Sequence, residues 1–234
     1  MSISLNIADV QQRIATATRR AGRQAHNVVL MAVSKTHPTE RIREAYAGGI
    51  RVFGENRVQE FAGKAGSLLD LSDAEWHMIG HLQSNKTAKA AELFGAVDSL
   101  DSVKLADRLN AAAEKEKKKI PVLIEMNLGD EESKSGITPE SRYLEDLLLA
   151  APRFEALEFH GLMTVPPFSD DAENARPYFR RLREIRDTIS IRKLPAISME
   201  VLSMGMSHDF EVAIEEGSTC VRVGTAIFGE RPKP

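Results

Sequence analysis

The amino-acid sequence predicts an α/β fold in which one (β/α)8 barrel, a TIM barrel, takes up residues 1–234 and carries an additional N-terminal helix. Three observations predict it. Apolar runs of strand length recur eight times, helical spacing fills the intervals between them, and the first strand–helix turn has no glycine-rich fingerprint. Strict alternation implies parallel pairing, because a parallel crossover needs about a dozen residues or more and usually contains a helix. Eight such units close most simply into a barrel. The open alternative, a doubly wound sheet, places its phosphate-binding glycines at the first turn, and Ser34-Lys35-Thr36-His37-Pro38 has none.

The elements follow in order. An amphipathic helix is expected over about 7–21, then the Val-Val-Leu-Met-Ala-Val strand at 28–33. Helical spacing over 39–47 stops at Gly48-Gly49, before the second strand at 50–53. Helix 58–69 leads to the Trp-His-Met-Ile strand at 76–79, and helix 86–94, stopped by Gly95, leads to the strand at 96–100. Helix 103–118 ends in the charge run 114–119, a solvated face, and strand 122–126 follows. Helix 141–150 precedes strand 158–163, helix 175–190 precedes strand 198–202, and helix 210–216, closed by Gly217, precedes the last strand, 220–227.

A length of 234 residues suits one such barrel, and no linker, sequence repeat or low-complexity tract marks a second domain. The net charge of −3 gives no general field for nucleic acid or an anionic membrane, so any anion site is local. The single cysteine, Cys220, cannot close an internal disulfide. The start Met-Ser-Ile-Ser-Leu-Asn has neither a basic nor a long apolar region, and no run of about 18 apolar residues occurs. A cytoplasmic protein with no membrane or nucleic-acid partner is expected. The helices show no apolar stripe beyond the core-facing one, so the expected state is a monomer.

In such a barrel the functional side chains lie just past the carboxyl ends of the strands. These positions hold Lys35, Asn56, His81, Asn127 and Thr164, then Ser203-Met204-Gly205-Met206-Ser207 and Gly224-Thr225 after strands seven and eight. Phosphate sites often use those last two loops, where a short helix presents unpaired N–H groups. Gly205 lets the backbone approach an anion, and the Ser203 and Ser207 hydroxyls can donate to it. In isolation the loop reads more readily as an ordinary helix N-cap; Gly224-Thr225 facing it reverses the balance toward the anion. Ser133-Lys134-Ser135-Gly136, after strand five, either touches an anion or carries a solvated lysine.

A strand-end lysine is commonly a surface residue that snorkels. Facing a low-dielectric barrel interior, Lys35 would instead have a lowered pKa, and its neutral amine could form an imine with an aldehyde. Arg222 shares a strand face with Cys220 and Gly224, so it points inward and needs an acceptor. Either a ligand supplies one, as a ring nitrogen or a carboxylate, or Glu200 or Glu125 forms a salt bridge.

Six blocks, in order, resemble the pyridoxal phosphate homeostasis protein family: Ala32-Val33-Ser34-Lys35-Thr36-His37-Pro38, Phe53-Gly54-Glu55-Asn56-Arg57-Val58-Gln59-Glu60, the stretch from Trp76 through Gly80-His81-Leu82-Gln83 to Lys86, His160-Gly161-Leu162-Met163-Thr164, Leu202-Ser203-Met204-Gly205-Met206-Ser207-His208-Asp209 and Arg222-Val223-Gly224-Thr225-Ala226-Ile227-Phe228-Gly229. The resemblance runs through nearly the whole chain. It implies the barrel of alanine racemase without the β-rich second domain, and bound pyridoxal 5′-phosphate. It makes Lys35 the Schiff-base lysine, Ser203, Gly224 and Thr225 phosphate contacts, Arg222 the partner of the pyridine nitrogen and Asn56 a contact near the ring. Met163, Met204 and Ser207 complete the cofactor-binding set. His81 either joins them on the rim or is a buried histidine bonded to backbone; its turn could also orient Asn85 and Lys86.

Two classes of function follow from the resemblance. A carrier would sequester the cofactor in vitamin B6 homeostasis or deliver it to pyridoxal-dependent apoenzymes; the alternative is an amino-acid racemase or decarboxylase. Racemisation needs an acid/base group on each face of the α-carbon, and Lys35 supplies one. In the racemases the second is a tyrosine of the other domain, whereas here the chain ends at Pro234 and Tyr46, Tyr143 and Tyr178 all fall on expected helices outside the barrel. Arg222 beside the pyridine nitrogen would also weaken the cofactor as an electron sink. The expectation is a carrier without established catalysis.

Overall fold

In the computed structural model, which describes residues 2–129 and 135–230, eight parallel strands close into a barrel in sequence order. They are β1 (Val29–Val33), β2 (Val52–Glu55), β3 (Glu75–Met78), β4 (Ala96–Leu100), β5 (Ile120–Met126), β6 (Leu157–Thr164), β7 (Ile197–Ser203) and β8 (Cys220–Val223). β1 pairs with β2 on one side and with β8 on the other, Met31 lying opposite both Val52 and Arg222. Around them run α1 (Ile3–Arg20), α2 (Thr39–Ala47), α3 (Val58–Ala65), α4 (Thr87–Leu93), α5 (Val103–Lys115), α6 (Arg142–Ala150), α7 (Arg176–Ile191), α8 (Phe210–Glu215) and α9 (Thr225–Phe228). The expected fold class is borne out.

Strand alternation divides the core in two. Ile120, Val122, Ile124 and Met126 of β5, like Val221 and Val223 of β8, pack outward in the apolar layer under the helices. The other parity, including Leu123, Glu125, Cys220 and Arg222, faces the barrel axis. Gly54 is required on that inner face: a Cβ there would lie 2.8 Å from both Met31 Sδ and Ile79 Cδ1.

Several boundaries shift by a few residues from expectation, and at three elements the cause is plain. Helix α1 starts a turn earlier, because Ser2 Oγ accepts the Leu5 N–H at 3.3 Å and caps it. β2 extends to Glu55 and begins only at Val52, since the inward glycine and a buried carboxylate hid its end from an apolar count. The last strand is shorter than 220–227. It stops at Val223, and Gly224 O accepts the N–H groups of Ile227 and Phe228 at 2.9 Å each, turning the apolar run into α9. A short apolar run does not distinguish a strand from a buried helical turn.

Helix α1 straps the seam between first and last strands. It buries Ile3, Ile7, Val10, Ile14 and Ala17; Arg13 Nε donates to Glu211 Oε1 of α8 at 2.7 Å, and Asn6 Nδ2 donates to Ile227 O of α9 at 2.8 Å. Tyr46, Tyr143 and Tyr178 sit on α2, α6 and α7. Among the described residues no helix is long and apolar enough to cross a membrane, and no group of side chains could hold a metal ion.

Candidate functional site

A cleft of about 310 Å³ opens at the carboxyl ends of the strands, walled by Lys35 and His37 after β1, by Arg222, Gly224 and Thr225 at β8, and by Phe168, Met206, Ser207 and His208 from loops. That volume is at the lower end of the roughly 300–1,000 Å³ range of ligand pockets and suits a small cofactor.

Arg222 is nearly inaccessible, 4% exposed, and points inward as its parity requires. Its Nη1 donates to Ser203 Oγ at 2.7 Å and its Nη2 to Thr164 O at 2.8 Å. Neither expected salt bridge is its anchor: Glu200 is exposed, and Glu125 Oε1 accepts from Ser135 Oγ at 3.2 Å. Burial draws the guanidinium below its ordinary pKa, against the pull of the Cys220 thiol and of Asp98, Glu125 and Asp209. An arginine stays charged even so. Burial, with Asp98 nearby, pushes the Cys220 thiol up to about 12, which rules it out as a nucleophile at neutral pH.

The turn between β7 and α8 is fixed by sterics and hydrogen bonds. Gly205 has φ +96°, and a Cβ would sit 2.6 Å from Ala213 Cβ and 2.9 Å from Phe210 Cα. Gly205 O accepts the Arg222 N–H at 2.9 Å, and Asp209 Oδ1 accepts the Met206 N–H at 2.6 Å. Burial pushes the Asp209 carboxyl up, although the Met206 N–H opposes this. Thus held, the turn presents Met206 and Ser207 to the cleft. Ser207 Oγ accepts the Gly224 and Ala226 N–H groups at 3.3 and 3.2 Å. Amides at the start of a helix lack intrahelical partners, so these two donors are available to any stronger acceptor that displaces the hydroxyl.

Lys35, Ser207, Arg222, Gly224 and Thr225 therefore share one cleft. Ser203 lies below it, buried, with its hydroxyl on Arg222. Met163 is buried on β6 opposite Ser203 of β7, and Met204 belongs to the outer apolar core, because its parity is opposite to that of Ser203. Asn56 and His81 line an adjoining depression with Gln83 and Lys86. His81 is not the buried histidine of the alternative reading: its side chain is 56% exposed and its Nδ1 lies 3.4 Å from Asp101 Oδ2. Gly80 packs directly on Asn56, whose carbonyl oxygen would be 2.4 Å from an added Cβ. Thr164 turns its hydroxyl to Met126 O at 2.8 Å, and Asn127 is buried. Ser133 and Lys134 lie outside the described residues.

Sequence reasoning missed His37, Phe168 and His208 as cleft residues, and named Met206 only as a member of the strand-seven loop. His37, two residues from Lys35 and stacked on Phe228 at 4.6 Å, was within reach of a closer reading of that turn. Phe168 had no periodic signal; it comes from the Pro-Pro loop after β6, and its ring lies 5.0 Å from that of His208. A larger hollow, about 380 Å³, opens at the amino-terminal mouth of the barrel around His77 and Asp98. Size does not decide between them, since of the two only the carboxyl-end cleft joins a lysine, a guanidinium and helix-start amides.

The family model "Alanine racemase, N-terminal domain" matches residues 5–232. A pyridoxal phosphate homeostasis protein of Aquifex aeolicus is 47% identical over 232 residues, 99% of this chain and 99% of its own length. The structure of PipY from Synechococcus elongatus with PLP bound has a TM-score of 0.82 and 36% identity, covering 97% of this chain and 100% of that one. An alanine racemase of Clostridium difficile, at a TM-score of 0.71 and 12% identity, covers 99% of this chain and 57% of that chain and is similar in fold alone.

Proposed function

Because the chain belongs to the alanine racemase N-terminal domain family and, within it, to the pyridoxal phosphate homeostasis proteins, we propose that it binds pyridoxal 5′-phosphate covalently through Lys35 and acts in cytoplasmic vitamin B6 homeostasis, sequestering the cofactor or delivering it to apoenzymes. The observation that carries this reading is the convergence of Lys35, Arg222 and the α9 amides on one small cleft. When bound, the cofactor supplies an aldehyde, a pyridine ring and a phosphate, and the cleft holds a complement to each. Lys35, as the neutral amine, would be the residue that holds the cofactor by its aldehyde, with loss of one water. The Gly224 and Ala226 amides, with the Ser207 and Thr225 hydroxyls, hold the phosphate. Arg222 would lie toward the ring and, as a second cation there, would disfavour a proton on its nitrogen and limit carbanion chemistry. Ser203 orients Arg222 from below, Met163 backs it, and Asn56 and His81 border the open side. The three tyrosines lie on outer helices, so none is placed as a second proton donor opposite Lys35.

The test is borohydride reduction of loaded protein followed by peptide mapping. Wild type should carry the adduct on Lys35, and Lys35→Ala should lose it while keeping its melting temperature. With about 1.5–3 kcal/mol per charge-assisted hydrogen bond, pyridoxal phosphate should bind at least about 100-fold more tightly than pyridoxal. Loaded protein should reactivate a pyridoxal-class apoenzyme. Racemase or decarboxylase turnover at about 1 s⁻¹ or above would instead make the protein an enzyme.

A further inference from the structure

We propose that Lys64, bridging Glu55 and Glu60, is a positioning residue for Lys35, the three side chains clamping the turn that carries it from both flanks. The proposal rests on the reading of Lys35 as the linking lysine. None of the three lines the cleft; they lie behind it, between β2 and α3.

Glu55, the last residue of β2, is fully buried, and its Oε1 accepts from Ser34 Oγ at 2.7 Å. Glu60, in the first turn of α3, accepts the Thr36 N–H on its Oε1 at 2.6 Å. The residues just before and just after Lys35 are thus each held by a carboxylate. One ammonium joins the two: Lys64 Nζ lies 2.7 Å from Glu60 Oε1, 3.4 Å from Glu55 Oε1 and 3.5 Å from Ser34 O. The Lys64 side chain is only 14% exposed, so solvent screens this contact weakly.

The turn needs such a hold. Thr36 has φ +66°, a left-handed conformation that β-branched residues avoid and that persists only where the surroundings over-determine it. Lys35 reaches an aldehyde through a flexible four-carbon stem, and a shift of about 1 Å at its base would cost attack geometry steeply. Without Lys64 two carboxylates would share one side of the turn with no cation between them, and one would take a proton or move away. The ordinary pattern of charge already shows this tension. Burial pushes the Glu55 carboxyl up despite Ser34 and Lys64, whereas Glu60, also penalised by burial, is held below its usual range by Lys64 and the Thr36 amide.

The experiment compares wild type with Lys64→Met, Lys64→Arg and Glu60→Gln by two readouts. Without ligand, hydrogen exchange of the Thr36 amide should be about tenfold faster in Lys64→Met. With pyridoxal phosphate, borohydride trapping at Lys35 after timed mixing should show linkage formation slowed about tenfold, while inorganic phosphate competes as it does against wild type. Lys64→Arg should restore both. Wild-type exchange and linkage rates in Lys64→Met would overturn the clamp, as would a parallel loss of phosphate competition that arginine fails to rescue. If Lys64→Met does not fold, Glu60→Gln, which keeps an acceptor for Thr36 but not the ion pair, should show the same direction at smaller size; no change there would also overturn it. If wild type forms no adduct on Lys35, the cofactor reading fails, and the Thr36 exchange still reports separately on the clamp.

Discussion

The two mouths of the barrel treat charge in opposite ways. At the amino-terminal mouth the lining mixes Val29, Val52, Ala96 and Val201 with Glu75, Glu200 and His160, and the buried charge is matched in place: His77 Nδ1 lies 3.0 Å from Asp98 Oδ1. Burial favours the neutral ring, but Asp98 and Glu75 hold the imidazole above its ordinary pKa. At the carboxyl-terminal mouth Arg222 rests on a hydroxyl and a carbonyl, both neutral, and the α9 amides rest on another hydroxyl. The buried pair at the first mouth is complete in itself. The second mouth holds its cation on neutral hydrogen-bond partners, with Asp98, Glu125 and Asp209 acting on it only as nearby charges. Its donors are thus better placed to be shared with an anionic ligand, which is why the smaller hollow is the candidate site.

The contrast breaks most visibly at Arg222. Arg222→Met should cost about 3–5 kcal/mol in urea unfolding, because it strands the Thr164 carbonyl and leaves buried carboxylates without their cation. It should also abolish tight cofactor binding; a loss under about 1 kcal/mol would mean the guanidinium is not the hub of the upper layer. Asp98→Asn should cost about 1.5–3 kcal/mol, the range of a hydrogen bond to a charged group, while leaving cofactor affinity within about twofold. The sign with pH is fixed. Since the folded state raises the His77 pKa, its stabilisation is complete below the ordinary value and is lost as pH rises through the elevated one, so the gap to wild type should shrink toward alkaline pH. A gap that widens there would refute the pair. The smallest effect is expected at Glu125, whose Oε2 has no hydrogen-bond partner among the described residues and whose carboxyl is pushed up mainly by burial. Ionising it costs stability above the unfolded pKa. Glu125→Gln should therefore gain on the order of 1 kcal/mol at pH 8, fading toward acid, as read by thermal melts across pH.

The barrel was legible because its signal is repeated: β5 and β8 alternate inward and outward residues, and each helix carries an apolar stripe. The site was legible where backbone and parity coincide, as at Lys35, Arg222 and Gly224. It was less so where one residue decides direction. Ser203 and Ser207 are equivalent in composition, but Ser203 is still strand and points beneath Arg222, whereas the left-handed Gly205 reverses the chain and turns Ser207 outward. Glu55, Glu60 and Lys64 stood in or beside a matched block without a role. Their meaning depends on β2 and α3 packing behind the first turn, a long-range contact that no local pattern encodes.

The seam strapped by α1 has a consequence for synthesis. β1 completes its hydrogen bonding only when Cys220–Val223 arrives, and α1 finds its partners only with α8 and α9. A ribosome adding about 5–20 residues per second needs roughly ten to forty seconds to travel from Lys35 to Arg222. Throughout that interval Lys35 exists without Arg222 or the α9 amides, and α1 displays an uncovered apolar stripe. A nascent chain thus offers work for chaperones but not yet the assembled cleft, so on the proposed reading loading would wait for the finished ring.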